Sequence, residues 1–482
     1  MIHIKPYNEV YVKIDCDPDI AYHLKDLFTF KINNWKYHPL VKAKKWNGEI
    51  CLFNARSKTL YKGLIHYVAS LAQTHGYEVK ISREVLPTAE FTVDDATDFV
   101  SSLKLPERFE VRDYQLEALV SCINKDRQLC IVPTGGGKSM IIYWLFRYYK
   151  QKTLLIVNTI NLLNQMYSDL EEYGLDVDKY VHLIKGGSDK NTNKPLVIST
   201  YQSAAKQPAE WFKQFGLVIG DEAHLYTAKS LKNIMENLTD CKFRFGVTGT
   251  LDGSQSNQMV LEGLFGSYKK IISTKELIDQ DYLSDLSIKC LVLQYPDEEK
   301  KLVAKNHTKY QSEIEYIYSH EKRNRFIKNL ATALKGNTVI MFQRVEQHGV
   351  PLYTLIKDEA TVPTYFVAGS VEGEEREEIR KIVNTHKDSI TVASVGTFSL
   401  GVNIPNINNI IVASPSKSQV RVFQTIGRGL RKSETKYHCV LYDIVDDLHW
   451  KSRVNYTLRH FKDRLEMYCE ESFDYTIHNI PF

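Results

Sequence analysis

A repeated alternation of short apolar runs with helix-length segments constrains the fold more than any other feature of this sequence. The runs are rich in β-branched residues and form two successive sets. The first set lies at 129–133, 154–157, 196–200, 217–222 and 245–249, and the second at 339–342, 364–369, 390–394, 409–414 and 439–444. Such runs are typical of parallel strands that are buried on both faces. The pattern therefore predicts an α/β fold with two doubly wound parallel sheets.

The chain divides by pattern into four segments, since its 482 residues are too many for one ordinary core. Residues 1–85 are predicted to form a small α/β module, which includes a helix over 19–30. Residues 86–105 carry an acidic cluster, lie between Pro87 near their start and Pro106 just after their end, and are interpreted as a linker with a short helix. The two lobes are expected at 106–280 and 281–482, and the second ends in a helical extension.

Composition excludes several classes of protein. Hydrophobic residues make up 43% and charged residues 25%, a balance typical of soluble globular proteins. The apolar runs are strand-sized, and the first ten residues lack the apolar core of a secretory signal. The cysteines, at 16, 51, 122, 130, 241, 290, 439 and 469, form no Cys-x-x-Cys pair. We therefore expect a cytoplasmic protein without disulfides, a structural metal or a membrane contact.

The segment VPTGGGKS at 132–139 follows one of the apolar runs and precedes a helical pattern. In that context a glycine-rich loop turns its backbone N–H groups toward the phosphates of a nucleotide. Lys138 would reach the β- and γ-phosphates, and Ser139 would ligate Mg²⁺. An ordinary glycine-rich turn is the alternative, but the strand, the spacing and the helix favour an ATP site. The loop residues predicted to bind ATP are Thr134, Gly135, Gly136, Gly137, Lys138 and Ser139.

The sequence DEAH at 221–224 follows another predicted strand. A carboxylate at the end of a parallel strand lies at the edge of the sheet where ligands bind. Asp221 could hold Mg²⁺ through water, and Glu222 could accept the proton of the attacking water. An acidic pair after a strand is more often a turn or a helix cap. Its position downstream of the glycine-rich loop favours the catalytic interpretation.

The sequence QTIGRGLR at 424–431 places two arginines, Arg428 and Arg431, three residues apart in the second lobe. On a helix this spacing puts both guanidinium groups on one face. Two such groups at a γ-phosphate would stabilise the charge of phosphoryl transfer. The alternative is a solvated basic helix face.

These motifs and several others occur in the order typical of superfamily 2 helicases, which this chain resembles. The others are RDYQ (112–115), LLIVNTINLLNQ (154–165), ISTYQS (198–203), GVTGT (246–250), VIMFQR (339–344), VAGSVEGEER (367–376) and ITVASVGTFSLGVNIP (390–405). The resemblance implies two RecA-like lobes and an ATP-driven motor that acts on nucleic acid.

The resemblance also implies roles for individual residues. Arg112 and Gln115 would recognise adenine, and Asn403 stands where the family typically has aspartate. The further nucleotide contacts that it implies are His224, Gly401, Asn403 and Gln424. The contacts that it implies with one nucleic-acid strand are Thr159, Ser199, Thr200, Arg344, Ser394 and Val395.

Longer strings resemble one subgroup, the UvsW-type recombination helicases of T-even-like phages. They lie at 30–54, 63–79, 207–216 and 458–477. This resemblance implies a DNA-dependent ATPase that unwinds branched DNA, migrates Holliday junctions, remodels stalled forks and acts on R-loops. It implies branched duplex, single strands and RNA:DNA hybrids as partners, roles in recombination and repair, and a place in the host-cell cytoplasm.

Positive charge is concentrated in the N-terminal module. Residues 1–85 contain 13 Lys and Arg against 8 Asp and Glu, on a chain whose net charge is +4. Lys42, Lys44 and Lys45 lie so close together that we predict an anionic partner, the phosphates of DNA. Aromatic residues at 35, 37, 46, 53 and 61 are interleaved with the basic ones and could stack on bases. Aromatics at strand positions more often belong to the core, and we expect at least Trp35 and Phe53 to be buried.

Two other functions remain open from the residues alone. An RNA or RNA:DNA helicase would use the same motifs, because phosphate contacts do not distinguish the sugar. A protein that binds nucleic acid and ATP without hydrolysis would lack the catalytic carboxylate or the arginines. Glu222, Arg428 and Arg431 are all present, so the sequence favours an ATP-hydrolysing enzyme.

Overall fold

The computed structural model describes residues 1–32, 35–186, 189–251, 254–369, 382–383, 385–399, 406–414, 430 and 438–482. These residues form two compact units. The first unit comprises residues 1–132 and 137–272, and the second comprises residues 133–136 and 273–482. No helix in these ranges is both long and apolar enough to cross a membrane.

A module of short strands and helices opens the first unit. Its elements are β1 (Ile2–Pro6), β2 (Tyr11–Cys16), α1 (Pro18–Leu27), β3 (Thr29–Lys31), α2 (Pro39–Lys42), β4 (Glu49–Cys51), β5 (Phe53–Asn54), β6 (Thr59–Tyr61), α3 (Ile65–His75) and β7 (Val79–Ile81). A mixed sheet has the order β5-β6-β2-β1-β7, and β3 pairs with β4 in a separate ribbon. The helix expected over 19–30 ends at Leu27, because the residues that follow pair with β4 instead.

The rest of the first unit is built on a parallel sheet. Its elements are α4 (Val93–Ser102), α5 (Asp113–Ile123), β8 (Arg127–Ile131), α6 (Lys138–Tyr149), β9 (Thr153–Val157), α7 (Ile160–Glu172), α8 (Val177–Tyr180), β10 (Val181–Ile184), β11 (Leu196–Thr200), α9 (Tyr201–Ala204), α10 (Ala209–Phe212), β12 (Leu217–Asp221), α11 (Lys229–Asn237), β13 (Phe243–Thr248), α12 (Gln255–Phe265) and β14 (Tyr268–Lys270). The strand order is β10-β11-β9-β12-β13-β8-β14, and every neighbouring pair is parallel. The first set of apolar runs therefore forms strands as predicted.

The segment expected as a linker contains α4, which belongs to the core of this sheet. Thr92 and Asp95 cap the helix by bonding each other's backbone N–H groups. Ala96 and Val100 are buried in one cluster with Leu119 of α5. Burial of an amphipathic face, rather than intrinsic helix propensity, stabilises so short a helix.

The N-terminal module and the parallel sheet share one continuous core, which runs from Ile2 to Phe265. Three carboxylates lie at the contact between them, and each is paired with more than one side chain. The groups are Glu9 with Lys62 and Arg127, Glu236 with Tyr11 and Tyr61, and Glu262 with His66 and Tyr67. Glu262 is buried, whereas Glu9 and Glu236 are partly buried, and together these contacts hold the module against the sheet.

The second unit contains a second parallel sheet. Its elements are α13 (Thr274–Asp279), β15 (Asp285–Gln294), α14 (Asp297–Asn306), α15 (Tyr310–Ser319), α16 (Glu321–Ala333), β16 (Thr338–Phe342), α17 (Val350–Lys357), β17 (Thr364–Val367), β18 (Ile390–Ser394), α18 (Val395–Ser399), β19 (Asn409–Val412), β20 (His438–Asp447), α19 (Tyr456–Glu470) and β21 (Tyr475–Pro481). The second set of apolar runs forms β16 to β20, as predicted. The order is β17-β18-β16-β19-β20-β15-β21, again parallel throughout.

The two parallel sheets have the same topology. Adding seven to each strand number of the first order converts it into the second. Each strand of one sheet therefore has a counterpart in the other, so that β11 corresponds to β18. Along the chain, an N-terminal module is followed by two similar doubly wound sheets. This architecture confirms the predicted fold class.

Candidate nucleotide site and nucleic-acid surfaces

The glycine-rich loop links the end of β8 to the start of α6. Gly135 and Gly137 adopt φ values of +85° and +80°, a left-handed conformation that favours glycine. A Cβ atom on Gly137 would lie 2.1 Å from Nε2 of Gln115. The loop therefore packs directly against Gln115, a residue predicted to recognise adenine. The backbone N–H of Arg112, the other such residue, donates to Gln115 Oε1 at 3.2 Å.

The first residues of α6 carry the two side chains predicted to meet phosphate and metal. Lys138 Nζ lies 3.4 Å from the carbonyl oxygen of Val132, so the ammonium folds back toward the start of the loop. Ser139 Oγ lies 2.7 Å from the hydroxyl of Tyr173. Tyr173 follows α7, packs edge-on against Phe109 and was not predicted from the sequence. Burial raises the pKa of Tyr173 to about 12, so its hydroxyl stays protonated at neutral pH.

The DEAH residues lie at the end of β12. Asp221 is buried, and its Oδ1 accepts the backbone N–H of Glu222 at 2.9 Å. Glu222 has a φ of +49°, which is uncommon for a residue other than glycine and often marks a functional site. Burial, together with the charge of Glu222, raises the pKa of Asp221 to about 7, and Lys138 opposes the rise. Asp221 is thus a buried carboxylate beside a second carboxylate, an arrangement in which an added cation favours the charged form.

His224 connects the DEAH residues to the end of β13. Its Nδ1 lies 2.9 Å from Oγ1 of Thr248 and 3.4 Å from the carboxylate of Glu222. Since the Thr248 hydroxyl donates to the carbonyl of Thr250 at 3.0 Å, it accepts from His224. The sequence singled out the segment GVTGT but not Thr248 within it. The segment is thus tied to the predicted catalytic carboxylate through one imidazole ring.

Several residues predicted for ATP lie outside the described residues. These are Gly401, Asn403, Gln424, Arg428 and Arg431. The described residues form two pairs in the first unit, since Gln115 packs against Gly137 and His224 lies beside Glu222.

Equivalent strand ends in the two sheets have equivalent side-chain geometry. Thr200 ends β11, and its hydroxyl donates to Ser203 at 3.1 Å. Ser394 ends β18, the counterpart of β11, and its hydroxyl donates to Thr397 at 2.7 Å. In each case a short helix begins at the next residue, with the N–H groups of its first turn near the strand end. Both residues were predicted to contact nucleic acid.

The remaining predicted strand contacts differ in exposure. Thr159 caps α7 by accepting the N–H of Leu162 at 3.2 Å. Arg344 is exposed and donates to Gln311 Oε1 at 2.9 Å. The side chains of Ser199 and Val395 are buried, as are those of Thr200 and Ser394, so a nucleic-acid strand could reach only the backbone near these four residues. The sequence does not show whether a hydroxyl or apolar side chain at a strand end is exposed or buried.

Arg344 lies beside a π-helical turn, Val345–Gly349, whose His348 is buried. The imidazole stacks on the ring of Tyr318 with 4.4 Å between centroids, and its Nδ1 lies 3.2 Å from Ser414 Oγ. Burial and the charge of Arg323 lower the pKa of His348 to about 3, so the ring is neutral. A π-turn inside a helix frequently occurs at functional sites.

Comparison with known proteins identifies the family. Three family models match the chain: "DNA helicase UvsW, N-terminal" at residues 1–82, "Type III restriction enzyme, res subunit" at 108–253 and "Helicase conserved C-terminal domain" at 321–433. The ATP-dependent DNA helicase uvsW of Enterobacteria phage T4 is 33% identical over 98% of this chain and 97% of that protein. This chain belongs to the UvsW family of DNA helicases.

Other relatives support the same placement. The crystal structure of T4 UvsW matches this UvsW-family chain with a TM-score of 0.53 and 32% identity, covering 100% of this chain and 99% of that one. The DNA 3'-5' translocase XPB2 of Sulfurisphaera tokodaii is 25% identical over 74% of this chain and 87% of that protein. The resemblance drawn from the sequence is thereby confirmed.

The segment matched by the UvsW N-terminal model contains the lysine cluster, Lys42, Lys44 and Lys45. All three side chains are exposed, at the end of α2 and just beyond it. Backbone N–H groups of Lys44 and Lys45 donate to the carbonyls of Val41 and Leu40, which makes the turn tight. The cations therefore project from a fixed surface of the N-terminal module.

The aromatic residues of the same segment differ in how far they are buried. Phe53 is 1% exposed and belongs to the core, as expected. The expectation for Trp35 was wrong, since its side chain is only partly buried. Its ring covers Gly48, where a Cβ atom would lie 2.7 Å from Trp35 Cβ. Trp35 lies in the segment between β3 and β4 rather than under the main sheet, and Lys31 Nζ lies 4.0 Å from the centre of its ring.

Proposed function

We propose that this ATP-dependent DNA helicase acts on branched duplex DNA, such as replication forks and four-way junctions. The observation that carries the proposal is the exposed lysine cluster on a module that is held against the ATP-binding sheet. A motor that follows one strand needs only its two lobes. A second cationic surface is useful where the substrate offers a duplex arm as well.

ATP is proposed to bind the loop between β8 and α6, with adenine near Arg112 and Gln115 and phosphates near Lys138. Glu222 is the proposed general base for the attacking water, and Arg428 and Arg431 are the proposed arginine fingers. His224 and Thr248 would link the state of the carboxylate to β13.

Mg²⁺ fits the oxygen donors that Ser139 and Asp221 supply, because magnesium takes few protein ligands and completes its shell with water and phosphate. In the described part of the chain no group of three or more His, Cys, Asp and Glu side chains could hold a metal. The raised pKa of Asp221 also indicates a place that gains from added positive charge. When bound, the ion would neutralise phosphate charge and orient the γ-phosphate.

One DNA strand is proposed to contact the ends of β11 and β18, near Thr200 and Ser394, with Arg344 and Thr159 adding contacts in each sheet. The equivalence of Thr200 and Ser394 supports this proposal, since repeated backbone phosphates suit a repeated binding site. N–H groups in the first turn of a helix are suited to phosphate oxygens.

Replacing Lys42, Lys44 and Lys45 together with glutamine should flatten the salt dependence of duplex binding. Each lost phosphate contact should reduce the slope of log K against log salt by about 0.9. Single-strand-stimulated ATPase should be retained, whereas activity on forks should fall. Glutamine at Lys5, Lys58 and Lys80, on the same module, is the matched control. An unchanged slope would reassign the lysine cluster to solubility.

Tyr173→Phe should raise the Mg²⁺ concentration that nucleotide binding requires, because the variant loses the hydroxyl that holds Ser139. Groups that orient a metal ligand are typically worth about 10–100-fold in metal affinity or activity. The measurement is the gain in affinity for a fluorescent ADP on adding Mg²⁺, together with the Mg²⁺ dependence of ATPase. Tyr143→Phe removes a neighbouring hydroxyl, which bonds Arg147, and serves as control. A lower melting temperature with unchanged Mg²⁺ dependence would leave Tyr173 a packing role only.

The substrate proposal is tested by comparing ATPase rates on forks, four-way junctions, RNA:DNA hybrids, single-stranded DNA and RNA. We expect the largest stimulation with forks and junctions. Stimulation by RNA alone would instead favour an RNA helicase, and equal stimulation by every DNA would remove the preference for branches. We also propose that the protein acts in the cytoplasm of a host cell, where such DNA is found.

A further inference from the structure

One aromatic side chain of the N-terminal module is strongly exposed beside the lysine cluster. Tyr37 is 73% exposed, whereas Phe53 and Tyr61 are 1% and 4% exposed. Leu40, three residues further, is 48% exposed. A phenol ring and an isobutyl group this exposed gain nothing from the core, so their role must be sought outside it.

Cations lie close to the aromatic rings of this segment. Lys42 Nζ lies 5.7 Å from the centre of the Tyr37 ring, and Lys31 Nζ lies 4.0 Å from that of Trp35. The nearest acid along this segment, Glu49, is bonded to Asn47. A ligand that complements the surface must offer a flat apolar face and negative charge together. An unpaired nucleotide has both.

The ring is held on a rigid support. His38 caps α2 by accepting the N–H of Leu40 at 3.3 Å, and Pro39 follows it. The indole of Trp46 donates to the carbonyl of Glu49 at 2.9 Å and meets the His38 ring edge-on. The backbone that carries the ring is therefore held in place before a ligand binds, which lowers the ordering cost of binding.

We propose that Tyr37 stacks on an unpaired base at the junction of a branched DNA, with Leu40 against the same nucleotide and the lysine cluster on the flanking phosphates. The inference rests on the proposed function and names what the N-terminal module recognises there. Paired bases offer no free face within a duplex, so the stacking would select the branch point itself. The lysine cluster alone would bind any duplex arm.

Tyr37→Ala tests the inference on a fork that carries the fluorescent base 2-aminopurine at the first unpaired position. Stacking on an aromatic side chain is worth a factor of about 5–150 in affinity per base. We expect a loss in this range for the fork, a lost fluorescence change on binding, and rescue of both by Tyr37→Trp. Affinity for an unbranched duplex should change by about twofold or less, the usual range for surface substitutions.

Tyr22→Ala is the matched control, because Tyr22 is 71% exposed but lies on α1, outside the surface formed by Tyr37, Leu40 and the lysine cluster. Wild-type fork affinity and fluorescence in Tyr37→Ala would overturn the inference, and so would an equal loss on fork and unbranched duplex. If the ring instead meets an acidic protein, DNA binding will be unchanged, which also overturns it. The variant with glutamine at Lys42, Lys44 and Lys45 distinguishes the stacking by Tyr37 from the phosphate contacts of the lysine cluster. A flattened salt slope there with no effect of Tyr37→Ala would refute the stacking but keep the phosphate contacts.

Discussion

Glu222→Gln is expected to slow ATP hydrolysis by about 10²–10⁴-fold while ATP still binds, since general-base catalysis contributes that much. Glutamine keeps the shape of the side chain and the backbone conformation at φ +49°. It cannot accept a proton from the attacking water. The variant should therefore accumulate with ATP and DNA bound together, which a nucleotide-dependent DNA retention assay would detect.

Glu210→Gln is the control for this substitution, because Glu210 is an exposed carboxylate of the same unit that pairs with Lys213 on the surface. It should hydrolyse ATP at the wild-type rate. If Glu222→Gln reduced the rate of ATP hydrolysis by less than about threefold, far below the expected range, the general base would be another group.

Lys138→Ala should reduce ATP hydrolysis by on the order of 10³-fold, the upper range for loss of one charge-stabilising donor at a reacting centre. The ammonium lies at the start of α6 and folds toward Val132, within the glycine-rich loop. DNA affinity should change little, since the proposed strand contacts belong to other loops. Steady-state ATPase and DNA binding by fluorescence anisotropy measure the two effects.

Lys213→Ala, on the surface of the same unit, is the control for the loss of one positive charge. Normal turnover in Lys138→Ala would remove the loop from the nucleotide site. A parallel loss of DNA affinity would mean instead that the substitution disturbs the sheet as a whole.

Much of the fold follows from buried strands. The central strands β9, β11 and β12 are buried along their whole length, so each appears in the sequence as an unbroken apolar run. The edge strands β10, β14 and β21 are short or half exposed and carry no such run. Strand β15 begins with alternating burial, which hides it between polar segments. These three edge strands are specified by the neighbours they pair with, whereas the edge strand β17 lies in the apolar run 364–369 and was predicted from it.

The nucleotide site could be predicted as far as its residues occur in fixed motifs. Gln115 and Gly137 belong to separate motifs, and the structure packs one against the other. Tyr173 and Thr248 escaped prediction, because a tyrosine after a helix and a threonine at a strand end are common everywhere. Their roles depend on distances to Ser139 and His224 that only the folded chain defines.

ATP hydrolysis by this chain is proposed to separate the strands of branched DNA. The most direct measurement is the time course of strand separation on a fork labelled with a fluorophore and a quencher, with wild type and Glu222→Gln compared under identical conditions. We predict ATP-dependent separation by wild type and none by the variant, although both bind the fork. Hydrolysis that the fork stimulates without any separation of its strands would contradict the claim.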